Sequence, residues 1–245
     1  MKKFFNKSKL AFAILLIVIY VVGFSNADMI SEFIGLEKSL TAAFGLIMSV
    51  VMYAFIRKNK LHAYTGLCAF RGDVRKHLYF IPLIVISCVN FINGVQMNET
   101  LPVTVLYMIS MVFVGFLEEI IFRGFLFGAM QKDGLTWAVL VSSVTFGMGH
   151  IVNLLTGEPV LGTLLQLVYA SAIGFLFTVL FLTGKSLLPC ILSHIFINAT
   201  SVFARPMSGT MDIIVAIVQT LLSIGYGIWL FKKAYTENTE KAKQP

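Results

Sequence analysis

Charge is scarce in this chain. Asp, Glu, Lys and Arg make up 13% of its 245 residues, against about a quarter in soluble domains. Together with a mean hydropathy of +0.86, that excludes a soluble domain and leaves a polytopic membrane protein. Cysteine is scarce too: Cys68, Cys88 and Cys190 offer no disulfide framework and read as small, mostly apolar packing residues. No CxxC, HExxH, GxSxG or glycine-rich phosphate loop occurs, so the familiar soluble-enzyme chemistries have no support. Nor does any linker, repeat or low-complexity segment divide the chain, which reads as a single membrane domain, 1–245.

What the chain does have is long apolar runs, each near the roughly 20 residues that span a bilayer. Eight are expected: Leu10–Phe24, Leu40–Ile56, Leu78–Val95, Leu101–Met130, Leu135–Leu155, Val160–Leu182, Leu187–Phe203 and Ile213–Phe231. The fourth is long enough to tilt or kink. An all-α protein of eight transmembrane helices follows, with three helices at about 10–95 and a last one at about 213–231.

Charge placement tests that count. With Lys2, Lys3, Lys7 and Lys9 in the cytoplasm, Arg57, Lys58, Lys60, Arg71, Arg75, Lys76, Lys132, Lys185, Lys232, Lys233, Lys241 and Lys243 fall on the same side. Only Lys38 and Arg205 fall opposite, and only Arg123 falls inside a run. Both termini are therefore expected in the cytoplasm. The net charge of +7 is explained by topology and contact with anionic lipid, without nucleic acid. The lysine-rich start and Ser25-Asn26-Ala27 loosely fit a signal peptide. Cleavage there would leave seven helices and an outside N-terminus.

One stretch breaks the apolar pattern: Glu118-Glu119-Ile120-Ile121-Phe122-Arg123. A charge at the centre of a membrane helix costs at least about 2.5–3.5 kcal/mol on insertion scales, so three of them mark a functional site or a buried ion-pair network. On a helix, Glu119 and Arg123 share a face one turn apart, and Glu118 points elsewhere. Two more helices carry polar groups at similar spacing, Phe146 with His150 and His194 with Asn198. At about 1.5 Å per residue from the cytoplasmic helix ends, Glu118, Arg123, His150, His194 and Asn198 fall in one slab, from about 10 to about 22 Å deep.

A carboxylate, two imidazoles and a carboxamide in a low-dielectric slab can hydrolyse an amide. The carboxylate acts as base on water, and the amide and an imidazole stabilise an oxyanion. The same groups can also hold zinc or another divalent metal, with Glu118, His150 and His194 as ligands. They can equally serve an ion- or proton-coupled transporter, although no inverted repeat supports that reading. A non-catalytic membrane scaffold is the remaining alternative.

The three motifs, in order on three helices, resemble EExxxR, FxxxH and HxxxN of the CPBP family of intramembrane proteases. That family includes the CAAX prenyl endopeptidases of the Ras-converting-enzyme type and the bacterial Abi and bacteriocin-immunity proteins. The resemblance covers about 101–204 and implies a catalytic core on helices four to seven. It implies Glu118 as the base, His150 as its partner on the water, and His194 with Asn198 on the oxyanion side. Glu119, Arg123 and Phe146 would support the pocket, and no cofactor is implied. The expected partners are lipids and a peptide or lipidated-peptide substrate, in a bacterial plasma membrane, for peptide processing or bacteriocin self-immunity.

Overall fold

The computed structural model describes residues 1–70 and 80–241. Arg71, Arg75, Lys76, His77, Lys243 and the start of the expected third run at Leu78 lie outside the described residues. The helices are α1 (Lys2–Lys7), α2 (Lys9–Phe33), α3 (Ser39–Lys58), α4 (His62–Thr65), α5 (Phe80–Ser87), α6 (Leu101–Glu118), α7 (Gly128–Met130), α8 (Leu135–Met148), α9 (Val160–Gly184), α10 (Leu188–Thr200) and α11 (Gly209–Lys241). Among the described residues there is no strand, and a single antiparallel bridge joins Val95 to Ala204.

The all-helical membrane expectation holds. Among the described residues six helices are long and apolar enough to cross a bilayer: Lys9–Phe33, Ser39–Lys58, Leu101–Asp133, Leu135–Leu155, Val160–Gly184 and Gly209–Lys233. The expected seventh run, Leu187–Phe203, is a shorter apolar helix over Leu188–Phe203. The expected third is described only from Phe80.

Helix ends follow local chemistry more than hydropathy. Ser8 caps α2 by accepting from the Ala11 amide at 3.2 Å, a common N-cap device. The same helix runs nine residues past the expected end at Phe24 because its polar residues bond back to it. Asn26 donates to the Val22 carbonyl at 2.7 Å, and Ser31 to that of Ala27 at 2.7 Å. Asp28 then ties α2 to α3, accepting from Lys38 at 2.9 Å and from Thr41 at 2.5 Å. Pro102 and Pro189 sit in the first turns of α6 and α10, where the missing N–H costs nothing.

The centre of the bundle is Glu119–Phe127, between α6 and α7. It winds as a π-helix, with i→i+5 bonding and a wider turn, and every one of its residues is buried. Helices α2, α4, α8 and α9 pack around it. Phe125 meets Phe5, Phe12, Phe55 and Tyr64 in one aromatic cluster. Phe122 and Phe127 are likewise buried in the core. Long π stretches are rare and are often found at functional sites. This one carries Glu119 and Arg123, and Glu118 stands at its threshold.

Candidate active site

Arg123 is fully buried, as is Glu119, and the two pair at 3.0 Å across one turn, as the spacing predicts. The guanidinium also lies 4.0 Å from the centre of the Phe146 ring, a desolvated cation–π contact. Room for it exists because residue 174 is glycine. A Cβ there would stand 2.9 Å from Arg123 Nη2 and 3.0 Å from the Phe146 ring.

His194 joins the two glutamates. Its Nδ1 lies 2.8 Å from Glu119 Oε1, the oxygen that also accepts from Arg123. Its Nε2 lies 3.3 Å from Glu118 Oε2, within ion-pair range but off the direction of a hydrogen bond. Helix α10 can deliver His194 this closely because residue 115 of α6 is glycine. A Cβ there would fall 2.9 Å from the backbone nitrogen of Ile195. The glutamates thus face different sides, as expected, yet both meet the same imidazole.

The other oxygen of Glu118 has a partner that sequence reasoning missed. Tyr20 of α2 donates to Glu118 Oε1 at 2.6 Å, and the residue is 8% exposed. A tyrosine inside an apolar run carries no signal of its own, and only the fold brings it to the motif.

A cavity of about 760 Å³ opens beside these groups, and Glu118, Phe146, His150, His194 and Asn198 all line it. All the expected catalytic residues therefore share one cavity. Glu119 and Arg123 stand behind its wall. His150 lies past the end of α8 on a tighter 3₁₀ turn, Gly149–Thr156, edge-on to Phe146 at 5.8 Å. The Phe146 ring also stands edge-on to His194 at 5.6 Å, so one ring packs against the buried arginine and both imidazoles. Gln166 and Tyr169 of α9 line the cavity as well.

Chemically, the arrangement offers one carboxylate fixed at one oxygen by a phenol, with its other oxygen beside an imidazole. A second imidazole and a carboxamide stand on the same cavity wall. As metal ligands, Glu118, His150 and His194 are poorly disposed. Both ring nitrogens of His194 face carboxylates, and among the described residues no three His, Cys, Asp or Glu side chains group closely enough to hold an ion.

Fold and site together define a multi-pass helical membrane protein with a Glu/His/Asn centre enclosed in its bundle. Residues 100–200 match the family model described as type II CAAX prenyl endopeptidase, Rce1-like. The chain carries an Rce1-like domain there, in agreement with the CPBP resemblance of its motifs, and this supports a CAAX-type intramembrane protease. No curated protein and no solved structure matches the chain.

Proposed function

We propose that this protein is an intramembrane endopeptidase that hydrolyses a peptide bond of a membrane-associated peptide with a water activated by Glu118. The observation that carries the reading is the meeting of Glu118, His150, His194 and Asn198 on one cavity, from three separate helical segments. Glu118 takes a proton from a water held between it and His150, and the water oxygen attacks the scissile carbonyl. The Asn198 carboxamide donates to the oxyanion that forms. The carbon–nitrogen bond breaks as Glu118 returns the proton to the departing nitrogen, which leaves a carboxylic acid and an amine. General-base action of this kind is worth roughly 10²–10⁴ in rate.

His194 takes a different place from the one its motif implies. Held between Glu119 and Glu118, it orients the base, and Asn198 serves the oxyanion. Glu119 and Arg123 hold His194 in turn. The reaction is proposed to need no metal, in a multi-pass protein of a bacterial plasma membrane, with small-peptide processing or self-immunity as its setting.

The test compares wild type, Glu118→Gln and His150→Ala for cleavage of a membrane-peptide library in detergent, with and without a chelator. Cleavage by wild type alone, insensitive to the chelator, is the expected result. Normal cleavage by Glu118→Gln overturns the assignment of the base.

A further inference from the structure

Asn90 stands between α5 and α6 on a short 3₁₀ turn, Val89–Phe91, outside the matched stretch of residues 100–200. It lines the same cavity as Glu118, His150, His194 and Asn198. Its place follows from how α10 ends. The Ser201 N–H turns to the Asn198 carbonyl, a tighter i→i+3 bond, so the Ile197 carbonyl loses the backbone donor that a continuing α-helix would supply. Asn90 takes over from that donor. Its Nδ2 lies 2.5 Å from the Ile197 carbonyl oxygen and 2.8 Å from Thr200 Oγ1.

These two partners decide which end of the amide faces which way. A carbonyl can only accept. The Thr200 hydroxyl has one hydrogen and spends it within its own turn, on the Phe196 carbonyl at 2.7 Å, so it too accepts from Asn90. Both Nδ2 hydrogens are used inside the protein, and Oδ1 is left without a partner among the described residues. That oxygen is not sealed in, so a fixed acceptor remains on a residue of the cavity wall. Asn90 Nδ2 lies within about 5 Å of the Asn198 peptide nitrogen, because a carbonyl oxygen and the next nitrogen are about 2.3 Å apart. The acceptor therefore stands close to the residue proposed to meet the oxyanion. A bound extended peptide covers such a distance in one or two residues of about 3.3–3.6 Å each.

We infer that Asn90 is a substrate-binding residue whose Oδ1 accepts a backbone N–H of the peptide within two residues of the bond cut. The inference rests on the protease reading above. A peptide N–H carried out of water must find an acceptor. An acceptor already held by two hydrogen bonds loses little freedom when the peptide arrives. Asn198 and Asn90 then hold the peptide by its two kinds of polar group. Asn198 donates to the oxygen of the scissile carbonyl, and Asn90 accepts from an N–H nearby.

The experiment starts from any library peptide whose cleavage Glu118→Gln abolishes. Each backbone N–H within two residues of the cut, on either side, is replaced in turn by an ester oxygen, with the scissile amide kept. For the wild-type protein in detergent, one of these esters should lower kcat/KM about three- to tenfold, chiefly through KM. Asn90→Leu, close in volume, should cut the parent peptide at least as slowly as wild type cuts that ester, and should no longer distinguish the two. Asn90→Ala repeats the comparison should leucine disturb folding. Asn198→Ala, by contrast, should lower kcat for every peptide and keep the ester penalty. No ester penalty in wild type, or a penalty that persists in the Asn90 variants, overturns the inference while leaving the protease reading intact. Should no peptide show Glu118-dependent cleavage, the protease reading itself fails, and this inference with it.

Discussion

Tyr20 and Glu118 lie 98 positions apart in the chain, and their side chains meet at 2.6 Å. The first long helix therefore reaches into a motif that belongs to a later one. The hydrogen bond fixes one carboxylate oxygen and sets which way the other points. Tyr20 also lies outside the matched stretch of residues 100–200, so part of the centre comes from a helix that the family match does not cover.

Tyr20→Phe removes that bond and keeps the ring, which lies tilted against Phe24 with centroids 4.6 Å apart. A hydrogen bond to a charged group contributes about 1.5–3 kcal/mol. Where the bond is needed for the reaction, kcat falls roughly 10- to 100-fold. Because Tyr20 orients the base, KM should change little, while the thermal midpoint in detergent should fall by several degrees. Steady-state kinetics beside a thermal-shift curve checks this, and a change confined to the midpoint would make Tyr20 merely structural.

Gly115→Ala would push α10 away from α6, because the new methyl meets the backbone of Ile195. Overpacking of this kind costs about 1–3 kcal/mol, and it carries His194 and Asn198 with it. Both the midpoint and the cleavage rate should drop. Gly225→Ala, where nothing lies within 4 Å of the added carbon, serves as the silent control in the same assay.

Arg123→Met should be severe. It strands Glu119, fully buried, without its cation, and breaking a buried pair costs about 3–5 kcal/mol. Arg123→Lys should rescue only in part, since a lysine loses the planar contact with Phe146. The yield of monodisperse protein on size exclusion, followed by its thermal midpoint, orders the three proteins.

How much of this was legible beforehand depends on the residue. Glu119 and Arg123 declared their pairing by spacing alone, and a π turn keeps i and i+4 near enough to pair. Their motif, with Phe146, His150, His194 and Asn198, could be read as one site because ionisable and amide groups are conspicuous among apolar residues. Tyr20 could not be read, since its apolar neighbours give it no contrast. The π winding was also hidden, because it depends on α2, α4, α8 and α9 closing around Glu119–Phe127 rather than on local propensity. The same is true of His194, whose position between the glutamates follows from the small residue at position 115. Span ends were misjudged wherever Ser, Asn and Asp side chains satisfy the backbone beyond the apolar run, as at Asn26 and Ser31.

A chelator should leave cleavage unchanged. Both nitrogens of His194 face glutamates, so a metal would have to displace those contacts before binding. Rates measured in EDTA or 1,10-phenanthroline, and again after adding zinc, check this. Loss with the chelator and recovery with zinc would show that the ligand set rearranges.

The most direct measurement is the cleavage rate of Glu118→Gln in sealed proteoliposomes, set against a wild-type sample of equal thermal midpoint. Glutamine keeps an oxygen for Tyr20 but takes up no proton from water. The account predicts a loss of roughly 10²–10⁴-fold with the fold preserved. A rate within a few-fold of wild type would contradict it.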